Sequence, residues 1–189
     1  MLVRRFARSL WKDSIRIERR YLADTTKPQP DESEGVEPVQ VTYPDYYTNA
    51  CCSHPLYIDG KAEDIVTAAI RRLNHELGIP KDQMDPEMFT FLTRVHYHDP
   101  GDGVWGEHEI DHILFFQSDV KVKPNSDEIS EYCFVPKDEF NAYLPTLEGP
   151  ITPWFNMIRR HRLKLWWNNL HRIKELAEPD KIQKFLNEK

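Results

Sequence analysis

Residues 88–117 leave the chain few ways to fold. The segment 88–97 (MFTFLTRVHY) alternates with period two, so Phe89, Phe91, Thr93, Val95 and Tyr97 fall on one face of a strand. The stretch 98–106 (HDPGDGVWG) is rich in Pro, Gly and Asp and reads as a loop. Residues 107–117 (EHEIDHILFFQ) read as a second strand. On it, Glu107, Glu109, Asp111, Ile113 and Phe115 share one face; His108, Ile110, His112, Leu114 and Phe116 share the other. If the two strands pair, Tyr97 approaches the rim that holds the glutamates.

Helical patterns surround this pair. Residues 62–77 place Ile65, Val66, Ala69, Ile70, Leu73 and Leu77 on one face, and Gly78 and Pro80 stop the helix. Arg72 and Glu76 are expected on the rim of the apolar stripe, with Arg71, Asn74 and His75 further out. Residues 130–136 read as a short strand, and a short helix follows Pro136. Thr152-Pro153 is a cap and first-turn pair for a long final helix. That helix should bury Phe155, Ile158, Leu163, Trp166, Trp167, Leu170 and Ile173. Helices and strands alternate with room for one core, so the fold class is α/β or α+β in a single layered domain.

The first forty residues differ from the rest. Residues 1–22 carry seven basic and two acidic residues, which reads either as a targeting arm or as a solvated helix. Residues 23–40 have five acids, three prolines and no aromatic residue, the composition of a disordered linker. The expected division is therefore a basic arm and linker over 1–40 and a folded domain over 41–189.

Composition narrows the function. A net charge of -6 disfavours nucleic acid as a partner. No apolar run reaches the length of a membrane-spanning helix. Three cysteines, two of them adjacent, do not make a disulfide scaffold and favour a reducing compartment. The acidic body and free thiols suit the cytoplasm, while the basic arm permits mitochondria. The final Asn-Glu-Lys is not a peroxisomal signal.

Three groups of residues can carry chemistry. Glu107 and Glu109 repel each other on one strand face unless a cation or a shared proton relieves them. They read as metal ligands, as a general acid/base pair, or as a solvated edge. In Cys51-Cys52-Ser53-His54-Pro55, one thiol is a candidate base or nucleophile, and His54 can ligate a metal or tune that thiol. The plain alternative is two small buried hydrophobes beside a surface histidine. Trp105 and Trp154 are candidate pocket walls whose indole faces can stabilise a cation. Arg159, Arg160, His161, Arg162 and Lys164 read as a solvated face. His96, His98, His108 and His112 share no site with Glu107 and read as ordinary residues of a polar face.

Four segments in order, Tyr47–Leu56, Arg71–Ile79, Trp105–Asp111 and Ile151–Phe155, resemble type I isopentenyl-diphosphate isomerase, a Nudix-related family. Residues 71–79 look like a worn Nudix box: Arg71, Glu76 and Gly78 are kept, while Arg72 and His75 replace its glutamates. That argues against diphosphate hydrolysis. The resemblance implies conversion of isopentenyl diphosphate to dimethylallyl diphosphate. It makes Cys52 and Glu109 the acid/base pair on opposite faces of the substrate, with Tyr97 assisting Glu109. Ser53 would contact substrate, and Trp154 would face the carbocation. His54, Glu107 and Glu109 would bind a divalent metal such as Zn2+ or Mn2+, and Glu76 a Mg2+ that bridges the diphosphate. The family's N-terminal region supplies sheet strands, further metal-binding histidines, and Arg and Lys for the diphosphate. No histidine precedes His54 here, so a Nudix-like mixed sheet without those strands is expected. A monomer acting on a small diphosphate is the expected state. The alternatives are a truncated non-catalytic relative with a binding role or none, and a Nudix hydrolase of another diphosphate.

Overall fold

The structure is a computed structural model. It describes residues 43–103 and 106–185, together with the backbone of a strand at 14–20. The expected linker over 23–40 and Trp105 lie outside the described residues.

In chain order the elements begin with β1 (Ser14–Arg20), β2 (Tyr47–Thr48), β3 (Tyr57–Ile58), β4 (Lys61–Ala62) and α1 (Ile65–Leu77). The long pair β5 (Phe89–Asp99) and β6 (Glu107–Phe116) follows, then β7 (Ile129–Pro136) and α2 (Phe140–Tyr143). Last come α3 (Pro153–Ile158), α4 (Lys164–Asn168) and β8 (Ile182–Phe185). One sheet has the order β2-β1-β7, another β6-β5-β8, and β3 pairs with β4 in a small hairpin. The pair β5–β6 is antiparallel, and β8 joins the free edge of β5 in parallel. The mixed architecture of strands and helices is the one the alternating patterns require. One strand of the first sheet, β1, comes from the basic segment near the N-terminus and pairs along β7.

α1 begins later than its apolar pattern suggests, because Lys61–Ala62 are taken by β4. Asp64 caps it by accepting from the backbone N–H groups of Val66 and Thr67, an arrangement that stabilises a helix by about 1 kcal/mol. Gly78 ends it in the left-handed region at φ 57°, where a residue without a Cβ is favoured. Arg72 and Glu76 are not on the rim as expected; both are buried, and Arg72 Nη2 meets Glu76 Oε1 at 2.5 Å. A guanidinium and a carboxylate four residues apart can go inside together because each cancels the other's charge.

The simple alternation along β5 also breaks. The β5–β6 register shifts between Phe91 and Thr93. This bulge turns Leu92 into the core and leaves Phe91 beside His112, with ring centroids 5.5 Å apart. Beyond it, Thr93, Val95 and Tyr97 are buried as alternation requires.

The expected final helix is present but interrupted. α3 and α4 are continuous through a π turn at Arg159–Leu163, and the chain leaves the helix at Asn169 (φ −124°, ψ 26°). A 3-10 segment carries Leu170–Leu176. Phe155, Ile158, Leu163, Trp166, Trp167 and Ile173 are buried all the same, with Leu170 packed against them. The kink keeps the apolar side of the segment turned inward after the helix ends.

Two apolar clusters result. The larger joins Tyr47, Leu92, Tyr97, Val135, Phe140 and the aromatic residues of α3 and α4. The smaller joins Leu73, Leu77, Ile79, Met84, Phe89 and Ile129. Among the described residues, no helix is long and apolar enough to cross a membrane.

Candidate active site

The site is built where β2 runs into the Cys51-Cys52 turn. The backbone of Tyr47 donates to Pro150 O at 2.8 Å and accepts from Thr152 N at 2.9 Å. The buried hydroxyls of Thr48 and Thr152 lie 2.9 Å apart. These bonds clamp the segment to the residues that open α3, and therefore to Trp154. Asn49 completes the link: its Oδ1 accepts from Trp154 Nε1 at 3.1 Å, and its Nδ2 donates to Cys51 O at 2.7 Å. One amide thus sets the indole and the cysteine turn in register. Nothing in sequence spacing marks Asn49 for this work; the residues it joins are more than a hundred positions apart.

Cys51, Cys52 and Cys133 are not joined in disulfides. Cys51 packs against the smaller cluster, Cys52 against the larger one that holds Tyr97 and Trp154. Arg71 and Glu63 hold the residues that follow. Arg71 Nε donates to Glu63 Oε1 at 3.0 Å and Nη2 to Oε2 at 2.7 Å. Arg71 Nη2 also reaches His54 O at 3.2 Å, and Glu63 Oε2 accepts from Leu56 N at 3.1 Å. Arg71 therefore does not simply point outward from α1. It braces the backbone of the cysteine–histidine loop, and Glu63, which sequence reasoning passed over, is its partner. The Ser53 hydroxyl turns to His54 O at 3.4 Å.

β6 faces this loop with its carboxylates. His54 Nε2 lies 3.2 Å from Glu109 Oε1. The bond to Glu109 raises the pKa of His54, against the lowering effect of burial. Tyr97 donates its hydroxyl to Glu107 Oε2 at 2.5 Å, although the resemblance pairs it with Glu109. Burial above all, then the charge of Asp111 and the bond to Glu107, push the Tyr97 phenol far up. It is a neutral donor at any working pH. Asp111, the third carboxyl on this face, is raised to about 7, mainly by burial and then by Glu109 and Glu107. Trp154 stands between two tyrosines, with Tyr43 edge-on at 5.4 Å and Tyr97 at 6.2 Å between centroids.

A cavity of about 600 Å³ opens here. Cys52, Ser53, His54, Glu109 and Trp154 all line it, with Asn49 and Asp111. Glu107 and Tyr97 stand beside it, joined to each other. Glu76 is not among its lining residues, and its carboxylate is engaged by Arg72 inside the fold.

The donors suit a divalent metal in part. An imidazole and carboxylate oxygens are ligands that Zn2+ and Mn2+ accept. Behind the hydrogen bond at His54 and the burial of Asp111, the charges of Glu109 and Glu107 also push both groups up, and a cation there would offset that charge. Among the described residues, no three such groups already converge at metal-binding geometry. Glu76, neutralised by Arg72, does not present its carboxylate for Mg2+ in this arrangement.

Known proteins resemble this chain over most of its length. Residues 59–155 match the NUDIX domain. The chain is 40% identical over 153 residues to "Isopentenyl-diphosphate Delta-isomerase 1" of Mesocricetus auratus, covering 77% of this chain and 67% of that protein. It is 43% identical over 152 residues to "Isopentenyl-diphosphate Delta-isomerase" of Dictyostelium discoideum, covering 74% and 64%. With the Phaffia rhodozyma protein of the same name it shares 43% over 136 residues, covering 69% and 54%. The matches thus span between about half and two thirds of these relatives' own length. Identity at this level over most of the chain, on a NUDIX domain, shows that the chain belongs to the isopentenyl-diphosphate delta-isomerase family.

Proposed function

We propose that this chain converts isopentenyl diphosphate to dimethylallyl diphosphate. The observation that carries the reading is the meeting of Cys52, Glu109 and Trp154 on one largely apolar cavity. The reaction adds a proton to the terminal methylene of the alkene, which leaves a tertiary cation. A different proton then leaves the adjacent methylene, and the double bond has moved. An unactivated alkene is a poor base, so the acid must act in a site that excludes water. Cys52 and Glu109 are the acid/base pair.

The other residues protect and position. Trp154 offers its indole face to the cation; Asn49 and Tyr43 support the indole. Tyr97 holds Glu107, and His54 holds Glu109. Ser53, which lines the cavity, contacts the substrate beside the thiol. His54, Glu107 and Glu109 would hold a divalent ion, which would supply positive charge against the carboxylates. Mg2+ at Glu76 requires Arg72 to release that carboxylate.

The test is turnover of isopentenyl diphosphate with Mg2+ by the purified chain, beside Cys52→Ala. Dimethylallyl diphosphate should form with the unaltered chain, and its rate should fall by about a thousandfold in the variant. A folded chain with no turnover, or a variant as active as its parent, overturns the proposal.

A further inference from the structure

Four of the chain's eight histidines stand on the face of β5–β6 opposite the carboxylates; His112 lines the cavity described above, whereas His96, His98 and His108 do not. His96 and His98 are two apart on β5 and so share a face. His108 and His112 alternate with Glu107, Glu109 and Asp111 on β6 and point the other way. In the register, His98 is opposite His108, and His96 is opposite Ile110. His96 Nε2 lies 2.9 Å from His108 Nε2, with the rings nearly parallel and their centroids 5.0 Å apart. The ring of His98 is also 5.0 Å from that of His108. His108 is therefore flanked by two imidazoles; it and His98 are exposed, and His96 is half-buried.

Two neutral imidazole nitrogens at this distance share a single proton, one ring donating and the other accepting. A metal ion can take that proton's place. Bonds of about 2.0 Å at right angles set two ligand nitrogens roughly 2.8 Å apart, the spacing of neighbouring positions in a tetragonal Cu2+ or Ni2+ site. The His96–His108 separation already matches it. The last torsion of histidine is soft, so these rings can turn toward a common ion. Among the described residues no three ligands already converge, and His98 closes the site by turning. Lys184, in register with His96, is a cationic neighbour.

We propose that His96, His98 and His108 form a surface site for a divalent transition metal of the Cu2+ or Ni2+ type. His96 and His108 are its first two ligands and His98 its third. The site is independent of the one at His54 and Glu109, from which β6 separates it, and it does not rest on the isomerase reading.

The experiment is titration of the untagged full chain with Cu2+, followed by calorimetry and by the nitrogen splittings of the copper resonance spectrum. Variants are His54→Asn, His98→Asn and the double His96→Asn/His108→Asn, each checked for fold by near-ultraviolet dichroism. The double variant should lose at least tenfold in Cu2+ affinity together with the imidazole splittings. His98→Asn should lose about threefold, and His54→Asn should keep this binding event. If the double variant does not fold, the exposed His98→Asn and His108→Asn decide the matter singly. Binding that survives these substitutions, or that disappears with His54 alone, overturns the proposal.

Discussion

The hydroxyl of Tyr97 donates to Glu107 Oε2 at 2.5 Å, although the backbone of Tyr97 stands opposite Glu109. The buried ring leans along the sheet by one step of the ladder. Glu107 is thereby held by a neutral donor from inside the core, and Glu109 is left to His54 and the cavity. Tyr97→Phe keeps the ring and removes the hydroxyl. Losing a hydrogen bond to a charged acceptor costs about 1.5–3 kcal/mol. The expected outcome is a kcat lowered roughly tenfold to a hundredfold with KM little changed, alongside a lower melting temperature. Steady-state kinetics and a thermal melt check it.

Arg71 and Glu63 touch no part of the cavity's chemistry, yet they hold the backbone of His54 and Leu56. Lysine at position 71 keeps the charge but loses the planar fork. Arg71→Lys should lower kcat/KM about tenfold, because small displacements of a reacting group are costly. Glu63→Gln should act in the same direction. Combining the two should cost less than the product of the separate losses, as expected of one bonded pair.

Asp111 gives a stability test with a definite sign. Its pKa is raised from 3.8 to about 7 by burial and by its acidic neighbours. Between these values the unfolded chain gives up the proton and the folded chain keeps it. The folded state then binds more protons, so stability falls as pH rises through this window. Asp111→Asn removes the penalty. In the presence of a chelator, its gain in melting temperature over the unaltered chain should be larger at pH 8 than at pH 5, by roughly 5–10 °C.

Gly78 is fixed by both its backbone and its surroundings. Its φ is 57°, and a Cβ there would lie 2.0 Å from Lys123 O. Lys123 N donates to Leu77 O, so the helix end and the 123 segment are fastened together and neither yields freely. Gly78→Ala should cost at least about 2 kcal/mol, from left-handed strain and the clash together. A urea titration should show a lower midpoint with an unchanged slope.

Much of the architecture follows from local pattern. The alternation at the start of 107–117, the stop at Gly78 and the helix start after Thr152-Pro153 depend on neighbours in the chain and appear in the structure, although the Thr152 hydroxyl meets Thr48 instead of capping the helix. The candidate site was legible as residue types: the cavity gathers Cys52, Ser53, His54, Glu109 and Trp154. What local pattern could not show depends on distant partners. The bulge that turns Leu92 inward is a property of the β5–β6 pairing. The burial of Arg72 follows from Glu76 becoming its counterion. The short parallel strand β8 has no periodic signal and exists because β5 offers it an edge. Asn49 gains its role only when α3 brings Trp154 beside it.

The adjacent cysteines face different clusters, and the cavity borders both. Leu73, Leu77, Ile79 and Phe89 close it on one side; Phe155, Leu163, Trp154 and Trp167 close it on the other. This cavity is thus a seam between two hydrophobic bodies, with Cys51-Cys52 as its stitch. A ligand lodged there acts as mortar, and by mass action it strengthens the whole domain by an amount that grows with the logarithm of its concentration above Kd. Recognition and cohesion share one boundary in this molecule.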